Sequence, residues 1–159
     1  MNRISLIKKE QLLSIIKFID DKSDEFNYFN KIGWNSKNII SQFSKDSNFC
    51  LGYYEANNLV GVLIGDTIKS DKDYELELHI LFVSKDLRRK QIATKLLNYV
   101  ETNTINFSKI FIEVAEDNVE AISFYQKNNF VFLNFRHNYY KYNDKNIHAK
   151  CFIKNINYE

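Results

Sequence analysis

Apolar residues near the start of the chain recur at helical spacing. Leu12, Leu13, Ile15, Ile16 and Ile19 lie three and four apart, which predicts an amphipathic helix over about residues 10–20. The preceding run RISLIKK, beginning at Arg3, reads as a short first strand. About residues 21–35 carry no period and hold the single tryptophan, Trp34. Ser36 suits the N-cap of a second short helix bearing Ile39, Ile40 and Phe43.

From Phe49 the pattern changes to strand-like runs. FCLGYYEANNLVGVLIGDTI reads as two strands around Asn57-Asn58, which is hairpin turn chemistry. Tyr74 to Ser84 alternates and is rich in strand formers. Helical spacing returns with Ile92, Leu96, Leu97 and Val100 on one face. Lys109 to Ala115 is a strand, and Asn118 to Asn128 a helix capped by Asp117 or Asn118. FVFLNF and AKCFIKNI close the chain as strands. The predicted order is β-α-α-β-β-β-α-β-α-β-β. That order gives a mixed α/β (α+β) domain around one sheet, neither a barrel of βα units nor a doubly wound fold. Neither repeats nor a Gly-, Ser- or Pro-rich linker divides residues 1–159, so a single domain is expected.

Composition excludes several classes. The chain is 45% hydrophobic and 26% charged, with a net charge of +2. That balance does not point to nucleic acid. No apolar run approaches the ~20 residues of a membrane span, and the charged N-terminus does not resemble a signal peptide. Cys50 and Cys151 form no metal-binding or redox pair, so both are expected as plain thiols in a reducing cytoplasm, with no metal site. Proline is absent and glycine occurs four times. Asparagine is therefore expected wherever the backbone needs positive φ.

Two stretches carry candidate chemistry. In LRRKQIATKLL, Arg88, Arg89 and Lys90 run into a helix start, where the dipole already disfavours positive charge. Either these cations point into water, or an anion belongs beside the free amides of the helix start. In FIEVAEDNVEAISFYQKNNF, a strand delivers Glu113 and a helix delivers Tyr125. A carboxylate and a phenol brought together can act as base and acid; Tyr125 is otherwise a core aromatic.

Together these stretches resemble the GNAT acetyltransferase superfamily. Its acetyl-CoA signature, Q/R-x-x-G-x-G/A, is filled here by Arg88-Arg89-Lys90-Gln91-Ile92-Ala93. Its second motif, N-x-x-A-x-x-x-Y-x-x-x-G-F, is matched by Asn118, Ala121, Tyr125, Asn129 and Phe130, with Asn129 replacing glycine. Within the superfamily the chain looks most like the RimI-type ribosomal-protein alanine N-acetyltransferases. Trp34-x-Ser36, Glu113 followed by Asn118 and Tyr125, and Arg136-x-Asn138-Tyr139-Tyr140 carry that likeness.

The resemblance implies a GNAT fold, a single mixed and mostly antiparallel splayed sheet with helices on both faces. It implies acetyl-CoA as cosubstrate, with Leu81, Phe82 and Val83 as backbone partners of the pantetheine arm. Arg88, Arg89, Lys90, Gln91, Ile92 and Ala93 would cradle the pyrophosphate, Thr94 would add a hydroxyl, and Asn118 would contact the arm. Glu113 is the implied base, with Glu77 as rival on a strand where Glu75, Glu77 and His79 share one face. Tyr125 would protonate the leaving thiolate, and strand amides near Val83 would form the oxyanion hole. The implied acceptor is a protein N-terminal α-amine, as of a ribosomal protein. A small-molecule amine, or a non-catalytic acyl-CoA-binding role, stays open. Gln91 stands where the family usually has glycine. It is strained if that position needs positive φ, and unstrained if the glycine served only close approach of phosphate.

Overall fold

The computed structural model describes residues 1–103 and 106–156. Its elements in chain order are β1 (Asn2–Leu6), α1 (Leu12–Asp21), α2 (Asn27–Lys31), α3 (Ser36–Phe43), β2 (Asn48–Glu55), β3 (Asn58–Lys69), β4 (Tyr74–Val83), α4 (Ile92–Asn103), β5 (Phe107–Ala115), α5 (Val119–Lys127), β6 (Val131–Tyr142) and β7 (Lys145–Asn155). The strands form one seven-stranded sheet ordered β1-β2-β3-β4-β5-β7-β6. Only β4 and β5 run parallel; every other neighbouring pair is antiparallel.

The helical periods place helices on both faces. Ile15, Phe18 and Ile19 of α1, with Ile39 and Phe43 of α3, bury against Val62, Ile64, Ile80 and Phe82. On the other face Ile92, Leu96, Leu97 and Val100 of α4 and Tyr125 of α5 bury against Leu76, Leu78, Ile110, Ile112 and Val114.

Several local expectations shift. Asn35, not Ser36, caps α3: its side chain accepts from the Asn38 amide at 3.0 Å. The stretch expected to be irregular contains α2, too short for a period to register. The β2–β3 turn falls at Ala56-Asn57, one residue early, with both at positive φ (46° and 69°). About residues 136–148, which carry no clear period, belong largely to the long β6–β7 hairpin, which turns at Asn143-Asp144 (φ 47° and 57°). Asparagine meets the need for positive φ only in part: Asn57, Asn129, Asn138 and Asn143 hold it, but so do Ala56, Arg89, Gln91 and Asp144. Cys50 and Cys151 are both unpaired and buried.

Two irregularities of the sheet position the site. First, β4 pairs with β5 only from Tyr74↔Phe107 to Leu78↔Ile112. Beyond that point β4 keeps β3 as its neighbour and β5 keeps β7, so a wedge opens between them. Second, β4 bulges. Ile64 faces Ile80 while Gly65 faces Leu78, which leaves His79 without a partner on β3. The extra residue reverses the alternation. Leu76 and Leu78 pack under α4, whereas Ile80 and Phe82 pack under α1 and α3. Gly65 is required here, because a Cβ at that position would run into the Glu77 carbonyl oxygen.

Candidate active site

At the top of the wedge the chain leaves β4 through a short turn and enters α4. Arg89 and Gln91 both take positive φ (63° and 60°). Gln91 is therefore in the left-handed region, so the first of the two alternatives for this position holds. Among the described residues, no hydrogen-bond acceptor meets the backbone amides of Arg89 to Thr94; the first helical bond is Lys95 N to Gln91 O at 2.9 Å. A run of free amides at a helix start is suited to a phosphate. Arg88 differs from its neighbours. Its Nε donates to the Val83 carbonyl at 3.1 Å, so this cation is tied to the end of β4. Arg89, Lys90 and Gln91 are exposed. Leu81, Phe82 and Val83 lie along the β4 edge that β5 has left.

On the α1–α3 face the wedge opens into a cavity of ≈ 510 Å³. Trp34 walls it from the segment before α3; Glu77 and His79 come from β4, Phe111 and Glu113 from β5, Arg136, Tyr139 and Tyr140 from β6. Glu77 and Glu113 thus share one cavity, brought there by the pairing of Glu77 with Phe111. Their surroundings differ. Arg136 Nη1 donates to Glu113 Oε1 at 2.5 Å, and the guanidinium lies 3.9 Å from the Tyr139 ring centroid. Among the described residues Glu77 has no ion-pair partner. Glu75 is not part of the cavity lining and pairs with Lys109 at 3.4 Å. Burial, and then the nearby Glu113 charge, push the Tyr139 hydroxyl above its ordinary pKa.

His79 is held from two sides. Its ring packs on Trp34 with centroids 5.0 Å apart, and Nε2 lies 2.8 Å from Asp66 Oδ2. Asp66 on β3 also accepts from Ser47 Oγ at 2.8 Å, Gln42 Nε2 at 2.8 Å and Lys45 Nζ at 3.0 Å. Burial acts to raise the Asp66 pKa, but the hydrogen bonds from His79, Ser47, Gln42 and Lys45 outweigh it and hold the carboxyl far below its ordinary range.

Tyr125 does not sit beside Glu113. It belongs to the α4–α5 face, 5% exposed, packed edge-on against Phe124 and Phe130. Glu113 belongs to the opposite face. Burial, with a smaller contribution from Tyr28, raises the Tyr125 pKa well above that of an ordinary phenol. Tyr28 receives the Ala115 amide on its hydroxyl at 3.3 Å and interacts with the Asn118 side chain. Asn118 itself caps α5, accepting from Ala121 N at 3.2 Å. Asp117 is not the cap. Asn129 ends α5 at φ 66°.

Sequence reasoning missed Asp66, Tyr28 and the Arg136–Glu113 ion pair. Asp66 and Tyr28 stand in no motif. Arg136 was visible only as part of a short pattern, with nothing to say that it reaches Glu113.

A family model described as acetyltransferase (GNAT) family matches residues 15–130. No curated protein matches the chain at significant sequence similarity. Solved structures share the fold at low identity. An Arabidopsis thaliana NAA60 structure in complex with a bisubstrate analogue is 16% identical, with a TM-score of 0.76 and 99% of each chain covered. The Escherichia coli ribosomal-protein-S18-alanine N-acetyltransferase is 19% identical, with a TM-score of 0.73, covering 100% of this chain and 96% of that one. A probable acetyltransferase from Staphylococcus epidermidis is 18% identical, with a TM-score of 0.73, covering 99% of this chain and all of the other. NAA60 has also been solved in complex with acetyl-CoA.

Proposed function

The chain belongs to the acetyltransferase (GNAT) family, and from that premise we propose that it acetylates the N-terminal α-amine of a protein, such as a ribosomal protein. It is an acetyl-CoA-dependent N-acetyltransferase. The observation that carries the acetyl-transfer reading is the wedge between β4 and β5, with free amides at its top and a two-carboxylate cavity on one face.

The reaction joins an amine nitrogen to the acetyl carbon and breaks the carbon–sulfur bond. In the proposal, Leu81, Phe82 and Val83 offer strand edge to the pantetheine arm, and Asn118 contacts it. The free amides from Arg89 to Ala93 hold the pyrophosphate, with Arg88 at the edge of the cradle and the Thr94 hydroxyl beside them. Strand amides near Val83 meet the oxyanion, where fixed dipoles act most strongly. The acceptor enters from the cavity side. An α-amine of pKa about 7.7–8.0 is already partly neutral at pH 7, whereas a lysine amine near 10.4 is not. Glu113 or Glu77 therefore suffices as base. Among the described residues Glu77 has no ion-pair partner, while Glu113 shares its charge with Arg136.

Tyr125 acts from the other face as acid. A phenol ordinarily near 10 gives a proton to a thiolate near 8.5 only if their affinities are close. Burial raises the phenol, and the same dry surroundings raise the proton affinity of a thiolate formed beside it. The two rise together, and the transfer stays feasible.

Support for an N-terminal acceptor comes from the Glu113, Asn118, Tyr125 spacing and from the fold shared with the S18-alanine enzyme. The test is thiol release from acetyl-CoA across Ala-starting peptides, internal-Lys peptides, polyamines and aminoglycosides. Preference for Ala-starting peptides is expected. Turnover confined to small amines would refute the N-terminal acceptor, and tight binding of acetyl-CoA without turnover would refute catalysis.

A further inference from the structure

The cavity contains an imidazole that the chemistry above does not use. We propose that His79, locked by Asp66, is the proton outlet of the acceptor site: it takes on Nδ1 the proton a cavity carboxylate strips from the acceptor ammonium, and passes it to water. The proposal rests on the acetyl-transfer chemistry above.

The stoichiometry requires an outlet. An ammonium R–NH3⁺ becomes an amide R–NH–CO–CH3, so two protons leave the nitrogen. Tyr125 gives its own proton to the sulfur of CoA, and one of the two replaces it on the phenol. The other has to reach solvent before the next turnover. A carboxylate that receives it is a weak holder at neutral pH and must hand it on. Imidazole is the side chain whose ordinary pKa lies in that range.

His79 is built for such a hand-over. Asp66 is fixed as an anion by Ser47, Gln42 and Lys45, so it accepts a hydrogen bond from His79 Nε2–H at 2.8 Å. That contact puts the neutral ring's proton on Nε2 and leaves the Nδ1 lone pair free to receive another. When Nδ1 is protonated, Asp66 is the counter-charge already in place. Packing on Trp34 holds the ring plane. The bulge leaves His79 without a partner on β3, on the cavity side with Glu77. The His79 side chain keeps 17% of its surface exposed, enough for water to reach it.

The charged and titratable groups around this cavity are Asp66 on β3 with Lys45 behind it, Glu77 on β4, Glu113 on β5, Arg136, Tyr139 and Tyr140 on β6, and Cys151 on β7. Burial raises the two tyrosine hydroxyls and the Cys151 thiol, which moves them away from neutral pH. Asp66 is held ionised far below it.

Nitrogen-15 NMR of labelled histidine, on the acetyl-CoA-bound protein, reads the tautomer without any acceptor. Rate profiles against pH are then taken on whichever amine is turned over, an Ala-starting peptide or spermidine. We expect the Nε2-protonated tautomer, and an acid limb in kcat/KM that depends on His79. His79→Gln keeps an amide donor toward Asp66. It should keep its Tm and acetyl-CoA affinity, lose that limb, and slow turnover by about 10²-fold, the low end for a proton-transfer group. Asp66→Asn removes the counter-charge of the imidazolium, so the limb should move to lower pH. A proton on Nδ1 in the neutral ring, or an unchanged profile in His79→Gln, overturns the proposal. Turnover of spermidine but not of peptide counts only against the N-terminal acceptor; acetylation of no amine overturns both.

Discussion

Replacing Gln91 by glycine isolates the strain in the turn before α4. Gln91 holds φ 60°, and its side chain is exposed. The left-handed conformation costs a residue with a Cβ about 1–2 kcal/mol, and glycine almost nothing. Against that gain, glycine adds freedom to the unfolded chain worth about 0.5–1 kcal/mol. No buried contact is lost, so Gln91→Gly should stabilise the protein by about 0.5–1 kcal/mol. For a domain of this size that is about 1–4 °C in Tm. Gln91→Val makes the opposite change: a β-branched residue fits positive φ least well and should destabilise by at least ~1 kcal/mol. Thermal unfolding of the three proteins, with and without CoA, is the assay. The amides of the turn keep their directions in the glycine variant, so the CoA-induced rise in Tm should stay at least as large. A glycine variant less stable than wild type, or a valine variant equal to it, would show that position 91 stores no strain.

Tyr125→Phe removes one hydroxyl from a packed ring and should change Tm by less than about 2 °C. It should lower kcat by about 10²-fold with little change in KM for acetyl-CoA; an equal rate would remove Tyr125 as the acid. Glu77→Gln and Glu113→Gln separate the two carboxylates: loss of the base should lower kcat/KM by about 10²-fold or more, and the other variant should lose less, read from steady-state kinetics. Asp66 has its pKa lowered on folding, so its stabilisation is complete above the ordinary carboxylate value near 3.9 and is lost as pH falls below it. Denaturant melts at pH 7 and pH 3 should therefore show a smaller acid-induced loss in Asp66→Asn than in wild type. Gly65→Ala drives a Cβ into the Glu77 carbonyl and should destabilise by about 2 kcal/mol or more, seen as a lower denaturation midpoint.

The elements legible in the sequence were those with a clear period. The α4 face of Ile92, Leu96, Leu97 and Val100 is completely buried as its spacing requires. Of Glu75, Glu77 and His79, which alternation alone puts on one side, Glu77 and His79 line the cavity, but the bulge at His79 breaks the alternation at that point. What escaped depended on long-range placement. The sheet order inserts β7 between β5 and β6, and β6 is doubly irregular, with register shifts at Phe132/Asn134 and at Arg136/Tyr140. Those shifts erase the period of residues 136–142 and aim Arg136 at Glu113. The bulge at His79 leaves no trace in residue types, and Asp66 becomes meaningful only once β3 lies beside it. Tyr28 sits on a helix of five residues, below the length at which spacing means anything.

The wedge between β4 and β5 has a consequence for how the protein is kept in solution. Most sheets confine unpaired backbone to their outer margins and blunt it there with charge or bulges. This sheet carries a second, inner margin along His79 to Val83, at its centre. That strip is the kind of template on which stray chain segments nucleate ladders. Its shelter is position: the strip lies inside the sheet, and the gap is closed at one end where Leu78 pairs with Ile112. A ligand lying in the gap would act as a plug as well as a reactant. Concentrated protein should thus clump more readily when CoA is stripped away than when it is present.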